Sequence, residues 1–106
     1  MIVTTSEHLK DAERGEFLFS VVVKAASVTK DLKENIRNLI GGRMGYYEEL
    51  IESAINEAIE SLKKKALEKG YDGILGLKIS NPVVVDGAAE VVVYGNGFKR
   101  NKKEML

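Results

Sequence analysis

Between Tyr46 and Lys69 the apolar residues Tyr47, Leu50, Ile51, Ala54, Ile55, Ala58, Ile59, Leu62 and Ala66 recur three and four positions apart. That rhythm gathers them on one stripe of an α-helix, which needs an apolar surface to lie against. The charges follow the backbone dipole, with Glu48, Glu49 and Glu52 near the expected start and Lys63, Lys64, Lys65 and Lys69 near the end. Gly70 is expected to close the helix in the left-handed region. At about 1.5 Å per residue such a helix runs about 36 Å, more than a sheet of short strands needs for cover, so part of it is expected to face another subunit.

The strands that would receive this stripe are legible on both sides of it. Ile2-Val3-Thr4-Thr5 predicts a brief strand, and the polar run from Ser6 to Glu16 a loop. Phe17-Leu18-Phe19-Ser20-Val21-Val22-Val23-Lys24-Ala25 is too continuously apolar for a strand wetted along one face, and predicts a central strand covered on both. Thr29 is placed to cap a short helix carrying Leu32, Ile36, Leu39 and Ile40, which Gly41-Gly42 is expected to stop. After the long helix, Gly73 to Ser80 predicts a strand, Asn81-Pro82 a bend, and Val83-Val84-Val85 a resumption of pairing. Asp86-Gly87 is a hairpin turn signal, with Ala89 to Gly97 as the returning strand. The expected class is α+β: two layers, with one long helix on a mainly antiparallel sheet. One domain is expected over 1–98, and 99–106 is read as a frayed basic tail.

Composition narrows function by exclusion. A chain of 106 residues suits one hydrophobic core. Sixteen basic residues balance sixteen acidic ones, so no global field draws nucleic acid or an anionic membrane, and neither is expected as a partner. No window approaches the roughly 20 apolar residues of a membrane span, and the first residues lack the pattern of a secretory leader, so a cytoplasmic location is expected. With no cysteine there is no disulfide framework, zinc ribbon or thiol nucleophile.

The candidate site residues cluster before the long helix. Gly41, Gly42, Arg43, Gly45 and Tyr46 are read as a loop at a subunit boundary. There the glycines would permit positive φ and close backbone approach, and Arg43 would fork onto a carboxylate or carbonyl. Glu48 and Glu52 stand one turn apart and would offer oxygen ligands to a divalent cation. His8, beside Glu7 and Asp11, is the one imidazole in the chain. Zinc and copper ask for several nitrogen or sulfur ligands, so a tight site within one subunit is not expected, and a metal would need donors shared between subunits. Ser27, Thr29, Ser53 and Ser61 have no histidine near them in sequence, and no cofactor fingerprint is present. A non-enzymatic binding or scaffold module is the expectation, its ligand left open.

The Ile-Val-Thr-Thr opening, the valine strand, Gly41-Gly42-Arg43-Met44-Gly45-Tyr46-Tyr47-Glu48-Glu49-Leu50, and Gly70-Tyr71-Asp72-Gly73-Ile74-Leu75-Gly76-Leu77 with the hairpin after it occur here in one order. In that order the chain resembles the YbjQ family, small proteins of unknown role that carry a heavy-metal-binding label. The resemblance covers nearly all of 1–98. It implies a β-α-β-β subunit of dodecin-like fold, with extra short strands that join subunits into a homopentameric ring. Two departures stand out: Lys24-Ala25 replaces the family's usual Arg-Gly, and the loop 82–88 is reworked.

Overall fold

The structure, a computed structural model, describes residues 1–25, 40–80, 82–85 and 87–101, the side chains of 40–46 and 85 excepted. In chain order the elements are β1 (Ile2–Val3), β2 (Ala12–Ala25), α1 (Ile40–Glu68), β3 (Gly73–Ile79), β4 (Val83–Val85) and β5 (Ala88–Arg100). The strands make one mixed sheet in the order β1-β3-β5-β2, with β4 also paired to β5. β1 lies parallel to β3, and the remaining pairs are antiparallel. One helix on this sheet is the α+β arrangement expected above.

The apolar stripe behaves as its spacing requires. Leu50, Ala54, Ala58, Leu62 and Ala66 are buried against Leu18, Ile74, Ala89, Val91 and Val93 of the sheet. The three alanines in that row let the helix backbone approach closely, while Ile51, Ile55 and Ile59 form a half-buried flank. Gly70, at φ 82°, ends the helix: its N–H donates to Leu67 O and the Tyr71 N–H to Ala66 O, both at 3.0 Å. These two bonds satisfy carbonyls that the last turn would otherwise leave open.

The start of the helix departs from expectation. Helical backbone runs from Ile40 through Gly41, Gly42, Arg43, Met44, Gly45 and Tyr46, so these residues form no loop and Gly42 needs no positive φ. A glycine costs a helix about 1 kcal/mol relative to alanine, which weakens the segment without forbidding it. Ile40, Met44, Tyr47 and Ile51 continue the helical spacing across it. Glu48, Glu49 and Glu52 consequently sit beyond the first turn, which holds no acidic residue, and lose the dipole role expected of them. Most of the short helix expected from Thr29 falls outside the described residues, and so do the side-chain roles expected of Arg43 and Tyr46.

Two strands are longer than expected. β2 begins at Ala12, inside the expected loop, and β5 continues through Lys99 and Arg100, inside the expected frayed tail. The added lengths hold each other: Ala12 pairs with Arg100, Glu13 with Lys99 and Arg14 with Phe98. The Arg100 N–H donates to Asp72 Oδ2 at 2.8 Å and the Asn101 N–H to Asp11 O at 2.7 Å. Residues 102–106 lie outside the described residues. β2 is also an edge strand rather than a central one, and α1 covers one of its faces. The hairpin reading holds, since β4 and β5 pair antiparallel from Val83 with Glu90 to Val85 with Ala88.

A long helix on two long strands makes an extended body of 61 × 22 × 20 Å with a radius of gyration of 17.7 Å. A compact domain of 100 residues has about 13 Å. The chain therefore carries much more surface than a sphere of its mass.

Candidate functional site: the outer face of the sheet

Side chains alternate across a strand, so the register assigns a face to each residue. Leu18 and Val22 of β2 turn to α1, as do Val91 and Val93 of β5. Phe17, Phe19, Val21 and Val23 turn the other way, opposite Asn96, Tyr94, Val92 and Glu90. Val83 of β4, paired with Glu90, joins this outer face. The four β2 side chains are 59, 50, 50 and 66% exposed, and Val83 is 52% exposed. Phe17 stacks on Phe19 with ring centroids 5.9 Å apart and lies 6.0 Å from Tyr94. Exposed apolar side chains are ordinary singly, but a continuous row of this kind makes the outer face the candidate interaction surface.

One end of the outer face is closed by the N-terminal segment. This segment follows β3, with the Leu77 N–H donating to Thr4 O at 3.0 Å and the Gly76 N–H to Ser6 O at 2.8 Å. It carries Glu7 between two strands: Arg14 of β2 contacts Glu7 Oε2 at 2.8 Å and the Glu7 carbonyl at 2.7 Å, while Lys78 of β3 bonds Glu7 Oε1. Arg14 also donates to Asn96 Oδ1 at 3.3 Å. Two irregularities aim these groups. A bulge between Arg14 and Phe17 keeps both on the outer face, and Gly76, at φ 61°, produces a register shift between Leu75 and Lys78. A Cβ on Gly76 would stand 3.0 Å from the Glu7 carboxylate. Leu75 and Phe98, which the register places on this same face, are shut off from solvent at this end.

The ion cluster has a pH signature. The hydrogen bond from Lys78, then that from Arg14, lower the Glu7 carboxyl from its ordinary range to about 2. A carboxyl held below its unfolded value stabilises the fold above that value, and the contribution fades as pH falls toward the folded one. Glu7→Gln should therefore be less stable than the parent at neutral pH, with the two urea midpoints converging as pH falls from 4.5 to about 2. Parallel midpoints across that window would remove Glu7 from the fold's electrostatics. At the bulge, Lys69 pairs with Glu16 at 2.8 Å, a bond that raises the Lys69 pKa, and the Glu16 N–H donates to the Tyr71 hydroxyl at 3.0 Å.

The metal candidates are not brought together. His8 is exposed on the N-terminal segment, and Glu48 and Glu52 are exposed on α1. Among the described residues no three histidine, cysteine, aspartate or glutamate side chains gather into a donor group. A thiophilic metal prefers thiolate and imidazole, and the sequence offers no cysteine and one histidine. Among the described residues, the donors of a single chain do not gather into a heavy-metal centre. Among the described residues no helix is long and apolar enough to cross a membrane.

Comparison with known proteins follows the same outline. A family model, YbjQ_1, described as "Putative heavy-metal-binding", matches residues 1–99. A UPF0145 protein of Psychrobacter arcticus is 35% identical over 96 residues, covering 88% of this chain and 61% of that one. UPF0145 proteins of Colwellia psychrerythraea and Thermotoga maritima are 30% and 32% identical over 105 residues, each covering 96% of this chain and 100% and 99% of their own. In structure, a DUF74-family protein of unknown function from Pediococcus pentosaceus superposes with a TM-score of 0.66 at 25% identity, over 94% of this chain and 97% of that one.

Proposed function

The chain belongs to the YbjQ (UPF0145) family, and for this member we propose a self-assembling binding or scaffold module whose outer sheet face is covered by further copies of the same chain. The observation that carries this reading is the row Phe17, Phe19, Val21 and Val23, apolar and at least half exposed along a 14-residue edge strand. With an aromatic side chain offering roughly 150 to 250 Å², the row leaves on the order of 350 Å² of apolar surface in water. That is nearly half the roughly 800 Å² each partner contributes to a stable interface, before Val83, Val92 and Tyr94 are added. A second copy meets no net repulsion, because the chain's formal charge is zero. The extended protomer supplies contact area that a compact one would lack.

The role follows from assembly rather than from a reaction. Among the described residues, the groups whose proton affinity is displaced, Glu7 and Lys69, are held in structural ion pairs. The ring of five that the family resemblance implies is the assembly expected. Native mass spectrometry of untagged protein from metal-free buffer should give a mass near five times 11.7 kDa. A protomer mass at micromolar concentration would sink the reading.

A further inference from the structure

The two cations that meet at Glu7 are aimed by bonds in which its carboxylate takes no part. Arg14 Nη1 donates to Asn96 Oδ1 at 3.3 Å, and Asn96 is fixed in turn by its Nδ2, which donates to Gly15 O at 3.2 Å inside the bulge. Lys78 Nζ donates to Gly76 O at 3.3 Å, at the residue whose φ of 61° shifts the register of β3. Each strand thus directs its own cation to one point on the outer face. Convergence of this kind is what a binding site needs, because the long side chains are already ordered before a ligand arrives.

The group that the clamp holds shows what fits it. One carboxylate oxygen, Glu7 Oε2, lies 2.8 Å from Arg14, and the other, Oε1, bonds Lys78. Charge-assisted bonds to both oxygens of a planar group suit a carboxylate, and the bonds from Lys78 and then Arg14 hold the Glu7 carboxyl at about 2. Among the described residues neither cation pairs with another acid, so two positive charges face one negative charge. Glu7 is nonetheless half-exposed, in the exposed run from Thr5 to His8. Its side chain can turn into water while the Thr4 and Ser6 carbonyls stay bonded to β3. Beside the clamp the register sets Tyr94 opposite Lys78 and Phe17 opposite Asn96, their rings 6.0 Å apart. A few placed polar groups next to apolar surface is the usual make-up of a small-molecule site.

We infer that Arg14 and Lys78, positioned by Asn96 and Gly76, bind the carboxylate of a small aromatic acid, and that Glu7 fills this site from within the chain when the acid is absent. A monocarboxylate replaces Glu7 with the charge count unchanged. Phe17 and Tyr94 receive its ring. The whole site belongs to one chain, so the inference goes beyond the assembly reading and does not rest on it.

Benzoate is the probe, titrated at constant ionic strength into the full chain and followed by the NMR signals of the Gly76 amide and the Tyr94 ring. The parent should show saturable shifts. Glu7→Gln should bind benzoate at least about tenfold more tightly, because a neutral side chain no longer keeps the site closed for most of the time. In the Glu7→Gln background, Arg14→Gln and Lys78→Gln should each weaken binding at least about tenfold, the loss expected for one charge-assisted bond. Both positions are exposed, and far-ultraviolet spectra check that the variants stay folded. Benzyl alcohol, which keeps the ring and lacks the charge, should leave the signals in place, and acetate should bind more weakly than benzoate. Equal benzoate affinity in parent and Glu7→Gln would show that Glu7 does not occupy the site, and binding that survives loss of either cation would place benzoate elsewhere. Either result overturns the inference, as does the absence of saturable shifts in Glu7→Gln. The mass of the same samples is read separately, so a monomeric parent would sink the assembly reading and leave this one standing.

Discussion

Phe19→Asp should convert the assembly largely to protomers without unfolding them. Phe19 is half exposed in the protomer, where it touches Phe17 and lies 5.4 Å from Lys65 Nζ, so a carboxylate at this position gains a cation and disturbs no buried packing. In the assembly the same carboxylate would be drawn out of water. Losing roughly 100 Å² of apolar contact costs about 2.5 kcal/mol, and burying a charge that is not fully compensated adds several more. Each 1.4 kcal/mol is tenfold in affinity, so the joint should weaken by at least about a thousandfold. Phe19→Leu, which keeps the apolar area, should hold the wild-type mass. If sedimentation gives Phe19→Asp and the parent the same mass, the outer face is not where copies meet.

The contrast between β2 and α1 explains what could be read without coordinates. The α1 stripe was legible because one helix face meets one sheet inside one chain, and the period alone records that. The run from Phe17 to Val23 also records a strand to be kept from water on both faces, yet α1 covers only one of them. Sequence reports a need for cover and not its source, which is why an edge strand read as a central one. Gly41 to Gly45 misled for a different reason: propensity is a weak local term, and the spacing from Ile40 to Ile51 outweighs it. The ion cluster was not legible at all. Glu7, Arg14 and Lys78 stand apart in sequence, and only the strand order with the turn at Gly76 brings them together. The hairpin, by contrast, depends on neighbouring residues alone, and its Asp-Gly signal sufficed.

Gly73→Ala should be the most damaging alanine substitution among the described glycines whose surroundings are known. A Cβ on Gly73 would stand 2.2 Å from the Ile2 carbonyl oxygen and 2.4 Å from Cε1 of Phe98. Neither neighbour yields cheaply, since Ile2 is backbone paired with Gly73 in β1–β3 and Phe98 is fully buried. Overpacking of this kind costs about 3 kcal/mol, a fall of roughly 12 to 24 °C in melting temperature for a domain this size. Gly70→Ala separates crowding from backbone strain, because nothing lies within 4 Å of its Cβ position while its φ is 82°. Placing alanine in that left-handed conformation should cost about 1 kcal/mol. Chemical denaturation of the two variants should therefore rank Gly73→Ala well below Gly70→Ala. The reverse order would mean that β1 gives way freely, and that the N-terminal segment closing the outer face is held by the Glu7 ion pairs rather than by its packing on Gly73.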